Sequence, residues 1–180
     1  MERKLNIYVI GDTHFMHDNI IKYCERPFLP SEQDGIMISR WNNTVTIDDL
    51  VIHMGDFALH KNSEKAAWII NALKGRKILV KGNHDRKTDH WYLTHGFDFV
   101  CNSFVLDDIL FTHRPIENLK KWKFNIHGHI HQKKLEKYSD LRYINVCVEV
   151  IDYKPIKLET IIGKRIQEMK NDPRRIIEKT

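Results

Sequence analysis

The sequence predicts an α/β layered fold whose first half is largely parallel and whose second half is mixed or antiparallel. Three observations carry this expectation. Short apolar runs recur, and each is followed at once by a polar cluster bearing Gly or His: LNIYVIG before DTH, DLVIHMG before DF, RKILVKG before NHD, DILFT before HRP, and KFNIHG before HIH. Helix-like stretches separate the early runs but not the later ones. No internal repeat or low-complexity linker interrupts the 180 residues, and 42% hydrophobic with 29% charged residues is the composition of an ordinary soluble domain long enough for a sizeable core. One domain over residues 1–180 is the expectation.

Taken in order, LNIYVIG is the first strand and SEQDGIMISRWNNTV the first helix. DLVIHMG is the second strand. NSEKAAWIINALKG is the next helix, with Ser63 as its N-cap and Gly75 closing it, and RKILVKG is the third strand. Further strands fall around 97–112 and 142–151. KLETIIGKRIQEMK reads as a closing helix that Pro173 ends.

Composition narrows the setting. The longest apolar runs, such as YVIG and ILV, are strand-sized, far short of the ~20 residues of a membrane helix. The start MERKLNIYVIGD enters a core strand at once, so neither an export signal nor a membrane partner is expected. Cys24, Cys101 and Cys147 are odd in number, widely spaced and without C-x-x-C pairing, which points to a reducing, cytoplasmic location. A formal charge of +5 and a pI near 9.0 favour anionic partners such as phosphates or nucleic acid. Much of that charge sits in HQKKLEK and KNDPRRIIEK, which also read as solvated surface.

The chemistry concentrates in FNIHGHIHQKK, where His127, His129 and His131 alternate around Gly128. In a strand, residues two apart share a face and lie about 6.6 Å apart, so the segment is either a half-buried strand with hydrogen-bonded histidines or part of a metal site. In open α/β sheets ligands gather beyond the carboxyl ends of strands. Five clusters are therefore expected in one cleft, contributing Asp12, His14, Asp56, Asn83, His84, Asp85, His113, His129 and His131. Carboxylates, an amide oxygen and imidazoles without a thiolate suit Mn²⁺, Fe²⁺ or Zn²⁺. They are too many groups for one ion.

The order D-x-H (Asp12, His14), G-D (Gly55, Asp56), G-N-H-D (Gly82 to Asp85), a lone strand-end His (His113) and G-H-x-H (Gly128 to His131) resembles the calcineurin-like metallophosphoesterases. The resemblance spans residues 5 to 131, and no element of the pattern is missing. DTHFMHDNIIKYCERPF and the WNN at 41–43 further resemble a small bacterial and phage branch of predicted phosphoesterases. The resemblance implies mixed β-sheets flanked by helices in an αββα sandwich, and two divalent ions, Mn²⁺ first, with Fe, Ni or Zn as alternatives. It implies that Asp12, His14 and His131 hold one ion, that Asn83, His113 and His129 hold the other, and that Asp56 bridges them. His127 precedes the family's glycine and reads as a strand histidine.

The residue types suit that chemistry. Two cations neutralise phosphate oxygens and lower the pKa of a bound water toward ~7, supplying a nucleophile. Asp56 has two oxygens with which to bridge, and Asn83 adds a neutral one. His84, beside a ligand but not needed as one, is the expected general acid, with Asp85 accepting its other N–H. Arg26 and Arg114 are candidate phosphate clamps, since guanidinium matches phosphate bidentately.

The same residues admit rival readings. His84–Asp85 and His17–Asp18 also spell the HD pair of another phosphohydrolase class, but that class carries it on helices, whereas Gly82 and Asn83 follow the strand RKILV. His53 reads as packed or solvated, and His60, His90 and His95 as surface or loop residues. Some chains resembling the family act as scaffolds, as in retromer, having lost catalytic groups; the seven ligands with His84 favour an enzyme. Segments 86–112 and 114–128 leave little room for a cap, so an open cleft is expected. Phosphodiesters of nucleotide type rank ahead of phosphomonoesters and nucleic-acid ends. The longest segment between ligands, 15–55, is expected to shape substrate choice, with Trp41 and Phe28 as base-stacking or core groups.

Overall fold

The computed structural model describes residues 5–59, 62–119 and 121–172. Pro173 and His60 lie outside the described residues. The apolar runs form strands as expected: β1 (Ile7–Ile10), β2 (Leu50–His53), β3 (Arg76–Val80), β4 (Phe99–Cys101), β5 (Ser103–Leu106), β6 (Ile109–Thr112), β7 (Phe124–His127), β8 (Tyr143–Asn145) and β9 (Ile156–Lys157). They assemble into two sheets, ordered β4-β3-β2-β1-β9 and β5-β6-β7-β8. The first is parallel from β4 to β1 and takes β9 antiparallel at its edge; the second pairs β5 with β6 antiparallel and β6, β7 and β8 in parallel.

Period-two alternation splits the first sheet's side chains between two cores. Tyr8, Ile10, Val51 and Leu79 pack with Trp41 of α2 (Gln33–Thr44) and with Ile69 and Ile70 of α3 (Ser63–Ala72). Val9, Ile52 and Val80 point the other way and meet Phe111, Ile126 and Ile144 of the second sheet. The closing helix α5 (Leu158–Lys170) adds Leu158 and Ile161 to that inter-sheet core. The result is two mixed sheets flanked by helices. No helix among the described residues is long and apolar enough to cross a membrane.

Some local expectations are corrected. The N-cap of α3 is Asn62 rather than Ser63, because its side-chain oxygen accepts the Lys65 N–H at 2.9 Å. Gly75 does punctuate the helix end, at φ +84°, two residues beyond the C-cap Leu73. The strand expected over 142–151 stops at Asn145, whose side chain accepts the Cys147 N–H (2.9 Å) and donates to the His131 carbonyl (2.6 Å), turning the chain into a 3-10 turn at Val148–Val150. The short helices α1 (Asp18–Tyr23) and α4 (Asp89–Thr94), and β9, are too short for a periodic signal.

Beyond the strands, a pair of backbone bonds stitches the two sheets together. Gly11 N–H donates to Val146 O (2.8 Å) and Val148 N–H to Gly11 O (3.0 Å), tying the end of β1 to the segment after β8. Asp12 and Glu149 thereby lie on adjoining segments at the seam between the sheets.

Candidate metal centre

The chain turns sharply at the strand ends, and the expected ligands sit in those turns. Asp12, His14, Asp56, His129 and His131 all have positive φ, between +47° and +71°. Left-handed backbone at non-glycine residues costs about 1–3 kcal/mol each and persists where the surroundings over-determine it. Here Asp12 N–H is held by Gly55 O (2.9 Å) and His14 N–H by Asp56 O (3.0 Å), while His129 N–H donates to both carboxylate oxygens of Asp12 (3.0 and 2.9 Å). His129 and His131 thus share the site from a turn. β7 has already ended at His127, so strand periodicity is not what makes them converge.

Two glycines make room for the carboxylates. A Cβ at Gly128 would run into Asp12 Oδ2, and one at Gly82 into Asp56 Oδ1. Gly128→Ala is therefore expected to displace the Asp12 carboxylate, lower the metal content and destabilise the fold by about 1–3 kcal/mol. Metal analysis beside a thermal melt checks this; wild-type values for both would remove the glycine from the account.

The donor atoms gather in two sets. Asp12, His14 and His131 offer atoms within 4.8 Å of one another, and so do Asp56, His113 and His129. In the second set His113 Nε2 has three neighbours: Asn83 Oδ1 and His129 Nδ1, each at 3.2 Å, and Asp56 Oδ2 at 3.4 Å. Separations of about 3–3.4 Å are those between ligand atoms that each lie ~2 Å from one cation. In the first set His14 Nε2 is buried with no hydrogen-bond partner, 3.7 Å from Asp56 Oδ2. A buried acceptor left unpaired is costly, and a cation there would satisfy it. The residues present fit divalent ions.

Electrostatics agree. Burial pushes Asp12 up to about 6 and holds His14 well below the ordinary imidazole value. Burial and neighbouring His113 bring His129 down to about 4. Burial alone would raise Asp56, but the hydrogen bond and charge of His113 hold it below the usual carboxylate range. Burial would likewise lower His113 and His131, yet Asp56 and Asp12 lift the first to about 9, and Cys24, Glu149 and Asp12 lift the second to about 10. Without cations, protons on these two rings balance the carboxylates; bound cations would displace them. His113 Nδ1 faces the Met54 carbonyl at 2.7 Å, leaving Nε2 turned to the set.

The remaining site residues divide. His84 is partly exposed; its backbone N–H donates to Asp56 Oδ1 (2.8 Å), and its ring lies edge-on to His14 with centroids 5.2 Å apart. Asp85 does not orient His84 as expected. Its buried carboxylate instead accepts the N–H groups of Gly82 (2.8 Å), Asp56 (2.7 Å) and Phe57 (3.0 Å), clamping the G-N-H-D turn onto the G-D turn. Arg26 is also placed differently from a phosphate clamp. It is 4% exposed, and all five of its N–H groups are engaged, with Glu149 (from Nε and Nη2), Gln33, and the Thr13 and Asp12 carbonyls. Arg114 is exposed at the rim, with Nη2 3.4 Å from Asn83 Oδ1.

Of the other described histidines, His17 lies beside the first set, its Nδ1 3.4 Å from His14 Nδ1, His90 is exposed and His95 partly so, and His53 and His127 are packed inside. His127 is 1% exposed and bonds the Gly128 carbonyl, and His53 is buried against Thr13 Oγ1 (3.0 Å). Trp41 is core, its Nε1–H on the Lys74 carbonyl, and Phe28 packs edge-on to Tyr153. Sequence reasoning missed Glu149, whose Oε1 lies 3.0 Å from His131 Nδ1, and Cys147, whose thiol donates to Asp12 Oδ2 (3.2 Å). The one local signal was a carboxylate inside the apolar run INVCVEVI.

A family model described as calcineurin-like phosphoesterase matches residues 5–177. An uncharacterized protein of Methanocaldococcus jannaschii, MJ1445, is 38% identical over 169 residues, covering 87% of this chain and 89% of the relative. Among solved structures, AQ665 of Aquifex aeolicus, a protein of unknown function, overlaps with a TM-score of 0.73 at 29% identity, covering 89% of this chain and 99% of that one.

Proposed function

The chain belongs to the calcineurin-like phosphoesterases, and from that premise we propose that it hydrolyses a nucleotide-type phosphodiester with two divalent ions, Mn²⁺ first. Asp12, His14 and His131 hold one ion, Asn83, His113 and His129 the other, and Asp56 serves both. One observation carries the two-ion reading: Asp56 Oδ2 lies 3.7 Å from His14 Nε2 and 3.4 Å from His113 Nε2, between the two sets.

When bound, the ions neutralise phosphate oxygens and lower the pKa of water toward ~7. The chain's residues do the rest. Arg114 draws the phosphate to the rim beside Asn83, and His84 donates a proton to the leaving oxygen. Asp85 and Arg26 hold the ligand turns in place. Residues 86–112 form strands and a short helix of the fold itself, which supports an open cleft able to take a diester. Three free cysteines, Cys24, Cys101 and Cys147, support a cytoplasmic location.

Chelation is expected to abolish hydrolysis of bis-(p-nitrophenyl) phosphate, and Mn²⁺, Ni²⁺, Zn²⁺ or Mg²⁺ added back singly should restore it to different extents. Hydrolysis that survives verified metal removal would end the metal-dependent account. The same assay on p-nitrophenyl phosphate and cyclic nucleotides separates monoester from diester preference.

A further inference from the structure

We infer that Glu149 is a positioning residue for the first cation set: it receives the Nδ1–H of His131 and holds that ring with Nε2 turned toward Asp12. This rests on the two-ion reading above. The two ring nitrogens face opposite ways, with Nδ1 3.0 Å from Glu149 Oε1 and Nε2 3.9 Å from Asp12 Oδ1. A carboxylate on one nitrogen fixes the tautomer, leaves the other nitrogen's lone pair for the cation and raises its basicity.

The Glu149–Arg26 pair is shaped for this task rather than for cohesion alone. Arginine and carboxylate ordinarily meet fork to fork, two N–H groups on two oxygens. Here Arg26 Nε (2.9 Å) and Nη2 (2.6 Å) both donate to Oε1, the oxygen that faces His131, while the buried Oε2 has no partner among the described residues. Arg26 also donates to the carbonyls of Asp12 (2.7 Å) and Thr13 (2.8 Å), so the same pair ties His131 to the backbone carrying Asp12 and leading into His14. Cys24, His131 and Glu149 also lie within 4.8 Å of one another. A proton on Nδ1 removes His131 as a ligand there, which leaves that trio as support for the first set. Among the described residues the second set has no such carboxylate, since His113 Nδ1 faces a backbone carbonyl. Loss of Glu149 should therefore act on one side only.

The test is Glu149→Gln, which keeps an acceptor oxygen and removes the charge. Mn²⁺ binding is followed by calorimetry and by mass spectrometry of the loaded protein, with wild type, His113→Ala and the double variant beside it. Wild type should hold two ions, and Glu149→Gln should bind one of them about 10–100-fold more weakly while keeping the other. His113→Ala should lose the complementary ion, and the double variant should lose that ion and bind the other about 10–100-fold more weakly. Glu149→Asp should recover part of the lost affinity. Two ions held by Glu149→Gln at wild-type affinity, or equal weakening of both, overturns the assignment and leaves the two-ion reading standing. A wild type that never holds two ions overturns the reading and the assignment with it. Should Glu149→Gln fail to fold, the ¹⁵N-histidine spectrum of the Zn²⁺-loaded wild type decides: a protonated Nδ1 on His131 supports the role, and a metal-bound Nδ1 excludes it.

Discussion

Asp56→Ala is expected to empty both cation positions and to lower kcat on bis-(p-nitrophenyl) phosphate by ~10³-fold or more, the loss expected when several kcal/mol of charge stabilisation disappears. Every other candidate ligand belongs to one set. Among the described residues Asp56 alone presents an oxygen to His14 on one side and His113 on the other, and its second oxygen accepts the His84 N–H. Removing the carboxylate leaves the second set with only neutral donors, Asn83, His113 and His129. It also strips the first set of one of its two negative charges. His113→Ala, in contrast, takes a neutral donor from the second set and should spare the ion at Asp12, His14 and His131. Asp56→Asn, which preserves shape and the acceptor for His84, separates the charge from the hydrogen bond. Ion content by mass spectrometry, with a thermal melt to exclude unfolding, decides the matter. A folded Asp56→Ala protein carrying two ions per chain sinks the bridging assignment.

Much of this arrangement is legible in the chain because its signals are local. The run VIG before Asp12, HMG before Asp56 and VKG before Asn83 each combine a strand pattern with a turn-forming glycine, and strands of a parallel sheet end on one side. The features that escape the sequence depend on contacts across the fold. His129 and His131 look like strand neighbours because their spacing is two, but their left-handed backbone at +71° and +50° goes with contacts from across the fold, the His129 N–H on the Asp12 carboxylate and the Asn145 amide on the His131 carbonyl. Arg26 looks like a free guanidinium until Glu149, 123 positions away, is set against it. Asp85 reads as the partner of its neighbour His84, whereas burial at 4% exposure draws its carboxylate to three backbone N–H groups that would otherwise go unpaired. Apart from the short elements at Asp18–Tyr23, Asp89–Thr94 and β9, the helix and strand placements that miss do so at their ends, where one side chain such as Asn62 or Asn145 redirects the backbone.

His84→Ala is expected to keep both ions and to lose activity in proportion to how badly the leaving oxygen needs a proton. His84 stands apart from both cation-facing sets, is partly exposed, and is held by its backbone bond to Asp56 and by its edge contact with the His14 ring. That placement puts an imidazole at the border of the site without committing its lone pair to an ion. A p-nitrophenolate leaving group is stable as an anion, so loss of a proton donor should cost it little. A ribose-type alkoxide is not, and the same loss should cost on the order of 10²–10⁴ in rate. A ligand would behave otherwise, because removing it weakens phosphate neutralisation whatever leaves. The measurement is kcat for aryl and alkyl esters of the same phosphate, wild type against His84→Ala, with ion content determined on the same samples. Retention of both ions with a far larger loss on the alkyl ester assigns the proton to His84. Equal losses on both esters, or a missing ion, would instead place His84 within the cation cluster and require the proton to come from another group.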